Sequence, residues 1–125
     1  MQDYRKLVVW QKSHQLTLDV YWITRTYPKE ELYGLTSQTR RAATSIPANI
    51  SEGCGRNSSA DLARFLHIAL GSAFELDYHF ILARDLGFIT DQDSIKFATD
   101  ISEVRQMLYS FLQKVNPKQH PKTKL

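Results

Sequence analysis

Apolar positions along the chain recur at helical spacing in four successive stretches. In the first, about residues 7–27, Val9, Leu16, Val20, Ile23 and Tyr27 form one stripe. Trp10, His14, Leu18, Tyr21 and Trp22 form a second. Two stripes make an apolar face wider than one bundle seam needs. The second stretch, about residues 35–53, places Leu35, Thr39, Ala42, Ile46, Ile50 and Gly53 on one seam that continues through Pro47. A proline inside a helix removes one backbone bond and presses on the carbonyl four residues back, at a cost of about 3 kcal/mol. The spacing therefore predicts a helix kinked at Pro47, with Gly53 as its C-terminal glycine.

The third stretch, about residues 59–86, is the most regular. Leu62, Leu66, Ala69, Ala73, Leu76, Phe80 and Ala83 alternate steps of four and three, a heptad seam. Ala69, Gly71, Ser72 and Ala73 make its middle thin, so a neighbouring helix can come close. Ser58 with Asp61 predicts the helix start, and Gly87 its end. The fourth stretch opens at Thr90 with Asp93. Its seam is Ala98, Ile101, Leu108, Leu112 and Val115, widened by Phe97, Val104 and Phe111. No strand-like alternation competes. Short connections between long helices predict an all-α, antiparallel up-down-up-down four-helix bundle over residues 1–116. Residues 117–125 lack any apolar pattern and predict a disordered basic tail.

Composition narrows the function classes. The 125 residues fit one domain, and 42% hydrophobic with 23% charged residues is ordinary globular composition. The net charge of +3 permits contact with nucleic acid without requiring it. Cys54 is the only cysteine, which excludes an internal disulfide and fits a cytoplasmic protein. No signal-peptide core opens the chain, and no apolar run is long enough to span a membrane.

Catalytic and metal chemistry find little support. A di-metal bundle site uses paired Glu-x-x-His motifs. Glu75 and His79 are one residue too far apart, and no second copy exists. Cys54 follows a helix C-terminus, whose partial negative charge disfavours a thiolate. The run 53–59 (GCGRNSS) lacks the Gly-Lys-Ser/Thr ending of a phosphate loop. These features predict a protein that is no enzyme, with no metal and no cofactor.

Two groups remain as candidates. Arg40 and Arg41 are expected to project opposite the apolar seam of their helix. With Arg56, Arg64 and the tail lysines Lys118, Lys122 and Lys124 they form a candidate nucleic-acid surface, for RNA or DNA. The N-terminal aromatics Tyr4, Trp10, Tyr21, Trp22, Tyr27 and Tyr33 exceed what a small core needs and predict a subunit interface. Trp10, Tyr21 and Trp22 are its candidates, with Pro47 as the bend that positions the second helix.

Several strings in order make a specific signature: residues 7–12 (LVVWQK), 27–43 (YPKEELYGLTSQTRRAA), 45–53 (SIPANISEG), Gly55-Arg56, and 64–76 (RFLHIALGSAFEL). On these the chain resembles the bacterial 23S rRNA intervening-sequence proteins over about residues 7–115. Cys54 and Thr39 stand where that family more often has an aromatic and an aliphatic residue. The resemblance implies a left-handed four-helix bundle, a ring-shaped homopentamer and no established enzymatic activity. A related branch, the accessory variability protein of diversity-generating retroelements, binds RNA and a reverse transcriptase through a basic pentameric barrel. The resemblance thus extends the candidate partners to self, nucleic acid and a reverse transcriptase or other protein.

Overall fold

The computed structural model describes residues 2–115. Four helices carry the chain: α1 (Val8–Ile23), α2 (Leu35–Cys54), α3 (Ser59–Asp85) and α4 (Asp91–Val115). There is no strand among the described residues. Single 3-10 turns flank α1 at Tyr4–Lys6 and Thr24–Thr26, and a third, Lys29–Glu31, precedes α2. The first helix therefore stops at Ile23 and tightens before Pro28, instead of continuing to Tyr27.

Cross-helix contacts fix the direction of every neighbour. Trp10 meets Ser51, Thr17 meets Ala43, and Thr24 meets Arg40, so α1 and α2 run oppositely. Ser45 meets Ser72 while Gly53 lies against Leu62 and Phe65, which sets α2 against α3. Asp77 with Arg105 and Phe80 with Phe97 set α3 against α4. Lys12 with Glu103 and Asp19 with Lys96 close α4 onto α1. The result is an antiparallel up-down-up-down bundle, with α1 and α3 at diagonal corners.

The core follows the seams. Leu66, Ala69, Ala73, Leu76 and Ala83 of α3 are wholly buried, packed with Val20, Ile46, Ile50, Ile101, Leu108 and Leu112. The seam of α4 begins at Phe97, because Ala98 faces solvent. Phe97 stacks on Phe80 at 4.3 Å, an aromatic pair that a small side chain at 98 could not make.

Helix ends obey local chemistry. Ser58 Oγ accepts the Asp61 amide, and Thr90 Oγ1 accepts the Asp93 amide. At the end of α3 the Phe88 amide reaches the Ala83 carbonyl and the Gly87 amide reaches Arg84. Gly87 takes φ +80°, a left-handed conformation that glycine adopts without a Cβ penalty. Gly53 is a different case. It lies inside α2, buried, where an added Cβ would come within 2.9 Å of Leu62 Cδ1 and 3.0 Å of Phe65 Cβ. Its role is close packing of α3 against α2, not helix termination.

Pro47 is buried, and α2 runs helical on both sides of it. The carbonyl deprived of its helical partner, Ala43 O, accepts a bond from Thr17 Oγ1 of α1 at 3.1 Å. The same hydroxyl lies 2.8 Å from Ser13 O in its own helix. Just beyond, Ser51 Oγ donates to Pro47 O and accepts Trp10 Nε1 at 3.0 Å. The proline break is thus repaired by side chains that also tie α1 to α2.

Candidate nucleic-acid interface

The four helix-region arginines of the candidate surface fall into two pairs near opposite ends of α2. Arg41 and Arg56 stand about 20 Å apart along the axis, at about 1.5 Å per residue. They do not form one patch.

At the far end, Arg56 pairs with Glu52 at 2.9 Å and Arg64 with Asp61 at 3.4 Å. Both guanidinium groups also lie over the Phe65 ring, at 4.8 and 4.5 Å. Each positive charge therefore has an acidic neighbour three or four residues before it and a ring beneath it. Little uncompensated field remains there.

At the near end the two arginines diverge. Arg40 does not project freely into solvent as the helical spacing suggests. It is half-buried and reaches across to the C-terminal end of α1, where its Nε donates to Thr24 Oγ1 at 2.8 Å and its Nη2 to Tyr21 O at 3.4 Å. Its guanidinium carbon sits 4.8 Å from the Tyr21 ring centroid. The partial negative charge of a helix C-terminus draws a cation to that position. Arg41 is exposed and makes no hydrogen bond or ion pair among the described residues. It borders two grooves. One, of about 330 Å³, lies between α2 and α3 and includes Gln38, Ser45, Ser72 and Glu75. The other, of about 460 Å³, includes Tyr21, Tyr33, Ser37, Arg40 and Thr44.

Lys118, Lys122 and Lys124 lie outside the described residues. The predicted tail 117–125 is outside them as well.

The interface candidates also divide. Trp10 is half-buried, bonded to Ser51, edge-on to Tyr4 and stacked on His14 at 5.0 Å. Pro47 is buried within the bundle. Tyr21 and Trp22, by contrast, are 45% and 70% exposed. Trp22 and Leu18 continue the outer stripe of α1 into solvent. α3 carries an outer stripe too: Phe74, Tyr78 and Ile81 are all exposed. Their steps of four and three, running parallel to the inner seam, are the signal that could have found them. Arg25, stacked over Trp22 at 4.6 Å, is a further cation that the spacing of three from Trp22 points to.

Titratable groups in the interior are few. His79 is buried, with Nε2 3.5 Å from Glu75 Oε2. Burial pushes its pKa below the ordinary 6.5, and the Glu75 carboxylate opposes that shift. Burial pushes the Cys54 thiol up and the Tyr27 hydroxyl to about 12. No cluster of three or more His, Cys, Asp or Glu side chains could hold a metal ion among the described residues. No described helix is long and apolar enough to cross a membrane.

Residues 5–110 match the model of a family described as 23S rRNA-intervening sequence protein. Among solved structures, one chain from Bacteroides thetaiotaomicron superposes with a TM-score of 0.78 at 28% identity, over 85% of this chain and 96% of that one. It is described as a protein of unknown function from the S23 ribosomal protein family. No curated protein matches.

Proposed function

The chain belongs to the 23S rRNA-intervening sequence protein family, and on that premise we propose a non-enzymatic, oligomeric bundle that binds RNA or a ribonucleoprotein partner in the cytoplasm. The observation that carries this is Arg41, a solvent-facing cation with no partner among the described residues, bordering grooves on both sides of α2. A phosphate is the ligand that such a group holds best. The net charge of +3 has the same sign, and on five copies it becomes about +15.

Assembly into a homopentamer is part of the proposal. The outer stripes of α1 and α3 are different surfaces at diagonal corners of the bundle. Pairing one with the other is a heterologous contact, which generates a ring when the rotation closes. The same exposed stripes favour a second reading, a scaffold that docks a protein such as a reverse transcriptase without touching RNA.

Binding of the purified protein to structured RNA, measured from low to physiological salt, tests the first reading. Affinity should fall steeply with salt, and Arg41→Ala should weaken it. No binding at low salt, or an unchanged Arg41→Ala variant, would sink the proposal. Nuclease treatment during a pull-down separates the scaffold, which keeps its partner after RNA is destroyed. Sedimentation of the intact protein checks the ring.

A further inference from the structure

The side chain of Tyr33 is 93% exposed, more than any other large hydrophobic residue described. Nothing in the bundle core explains it. Its backbone, however, is anchored on both sides. The Leu32 amide bonds to Lys29 O, the Gly34 amide to Glu31 O, and the Leu35 amide to Glu31 Oε1 at 3.0 Å. The ring is therefore presented to solvent from a fixed turn at the start of α2.

Around it lies the 460 Å³ groove, whose volume falls within the range of about 300–1,000 Å³ typical of small-ligand sites. Its chemistry is mixed. Tyr33 offers a flat ring, Thr36, Ser37 and Thr44 line it with hydroxyl-bearing side chains, and Arg40 and Arg41 bring two guanidinium groups. Arg40 lies over the Tyr21 ring, and both side chains line the groove.

We infer that this groove takes an unpaired stretch of RNA, with one base stacked on Tyr33, another against the Arg40 guanidinium, and a phosphate held by Arg41. The inference rests on the RNA-binding proposal above and names the form of RNA. A duplex hides its bases and offers phosphates and shape, which calls for a broad run of cations. Here only Arg41 is uncommitted, while a bare aromatic ring and a guanidinium plane stand beside it. Those are the groups on which unstacked bases lie, and every base has a face to offer them.

The test uses the full chain and three labelled RNA probes with equal numbers of phosphates: a single strand, a hairpin duplex, and a single strand with abasic sites. Fluorescence anisotropy is read across a salt series. The intact single strand should bind tighter than the hairpin and the abasic strand. Tyr33→Ala should weaken single-strand binding by about 5- to 140-fold, the range of one base–aromatic stack, with its salt slope unchanged. Arg41→Gln should instead reduce that slope by about 0.7. Equal binding of single strand and hairpin, with Tyr33→Ala leaving both unchanged, overturns the stacking groove while the RNA-binding proposal stands. No binding of any probe at low salt removes that proposal itself. Sedimentation of Tyr33→Ala guards the third outcome: loss of assembly together with loss of affinity makes the ring a subunit contact and overturns the inference.

Discussion

The two ends of α2 carry the same residue type and use it in opposite ways. At the far end Gly53 lets Leu62 and Phe65 close in, and the Phe65 ring then carries Arg56 and Arg64. Both arginines are neutralised within their own helical neighbourhood, by Glu52 four residues before and Asp61 three residues before. At the near end the residues three and four away from Arg41 are Ser37, Gln38, Thr44 and Ser45, none of them acidic. One end is complete in itself and the other is left open. A count of arginines does not distinguish them, whereas the residues one helical turn away do.

The sharpest way to break this comparison is to disturb the packed end. Gly53→Ala should cost about 1–3 kcal/mol, because its Cβ meets Phe65 Cβ and the Leu62 carbonyl, which cannot swing aside. Gly71→Ala, where an added Cβ meets nothing, should instead stabilise by about 0.5–1 kcal/mol. Urea unfolding midpoints of the two variants should move in opposite directions. Between the ends, Thr17→Val removes the only side-chain bond to Ala43 O among the described residues and should cost about 1–2 kcal/mol in the same measurement.

At the open end the two arginines should separate. Arg40→Gln breaks the bonds to Thr24 and Tyr21 and should cost about 1 kcal/mol. Arg41→Gln and the exposed ion-pair variant Arg56→Gln should each stay within about 0.5 kcal/mol. If Arg41→Gln proves as costly as Arg40→Gln, the contrast drawn between them fails.

The smallest effect concerns pH. His79 binds its proton less readily folded than unfolded, because burial lowers its pKa below 6.5. Stability present above that value should therefore decline as pH falls through it toward the folded value. His79→Gln should flatten that part of the profile, measured by thermal unfolding at a series of pH values. A profile unchanged by the substitution would show that other groups set it.

Much of this architecture is legible in the sequence. The α3 seam from Leu66 to Ala83 is buried as its spacing requires, and Ser58, Gly87 and Thr90 mark real helix boundaries. Gly53 was deceptive because glycine serves equally as a helix stop and as a gap for a neighbour, and only the approach of Phe65 decides. Ala98 yields its place to Phe97 because ring stacking with Phe80, a contact between helices, sets the rotation of α4. Arg40 is illegible for a similar reason: its partner Thr24 caps the end of α1, sixteen residues away and outside any local window. Tyr33 counted only as one aromatic among six, since nothing in a linear pattern says that a ring will be left bare.

The repair at Pro47 has a consequence for how the protein opens. A helix normally closes its own backbone bonds and can form or fray by itself, yet α2 borrows a donor from Thr17 for its Ala43 carbonyl. When α1 lifts away, that carbonyl loses its partner at the same instant as Ile46 and Ile50 lose part of their cover. The two helices should then behave as a single cooperative unit in native-state hydrogen exchange, with the amides of α1 and the middle of α2 exchanging at a common free energy. The imino acid that interrupts one helix would thereby couple it to the helix before it.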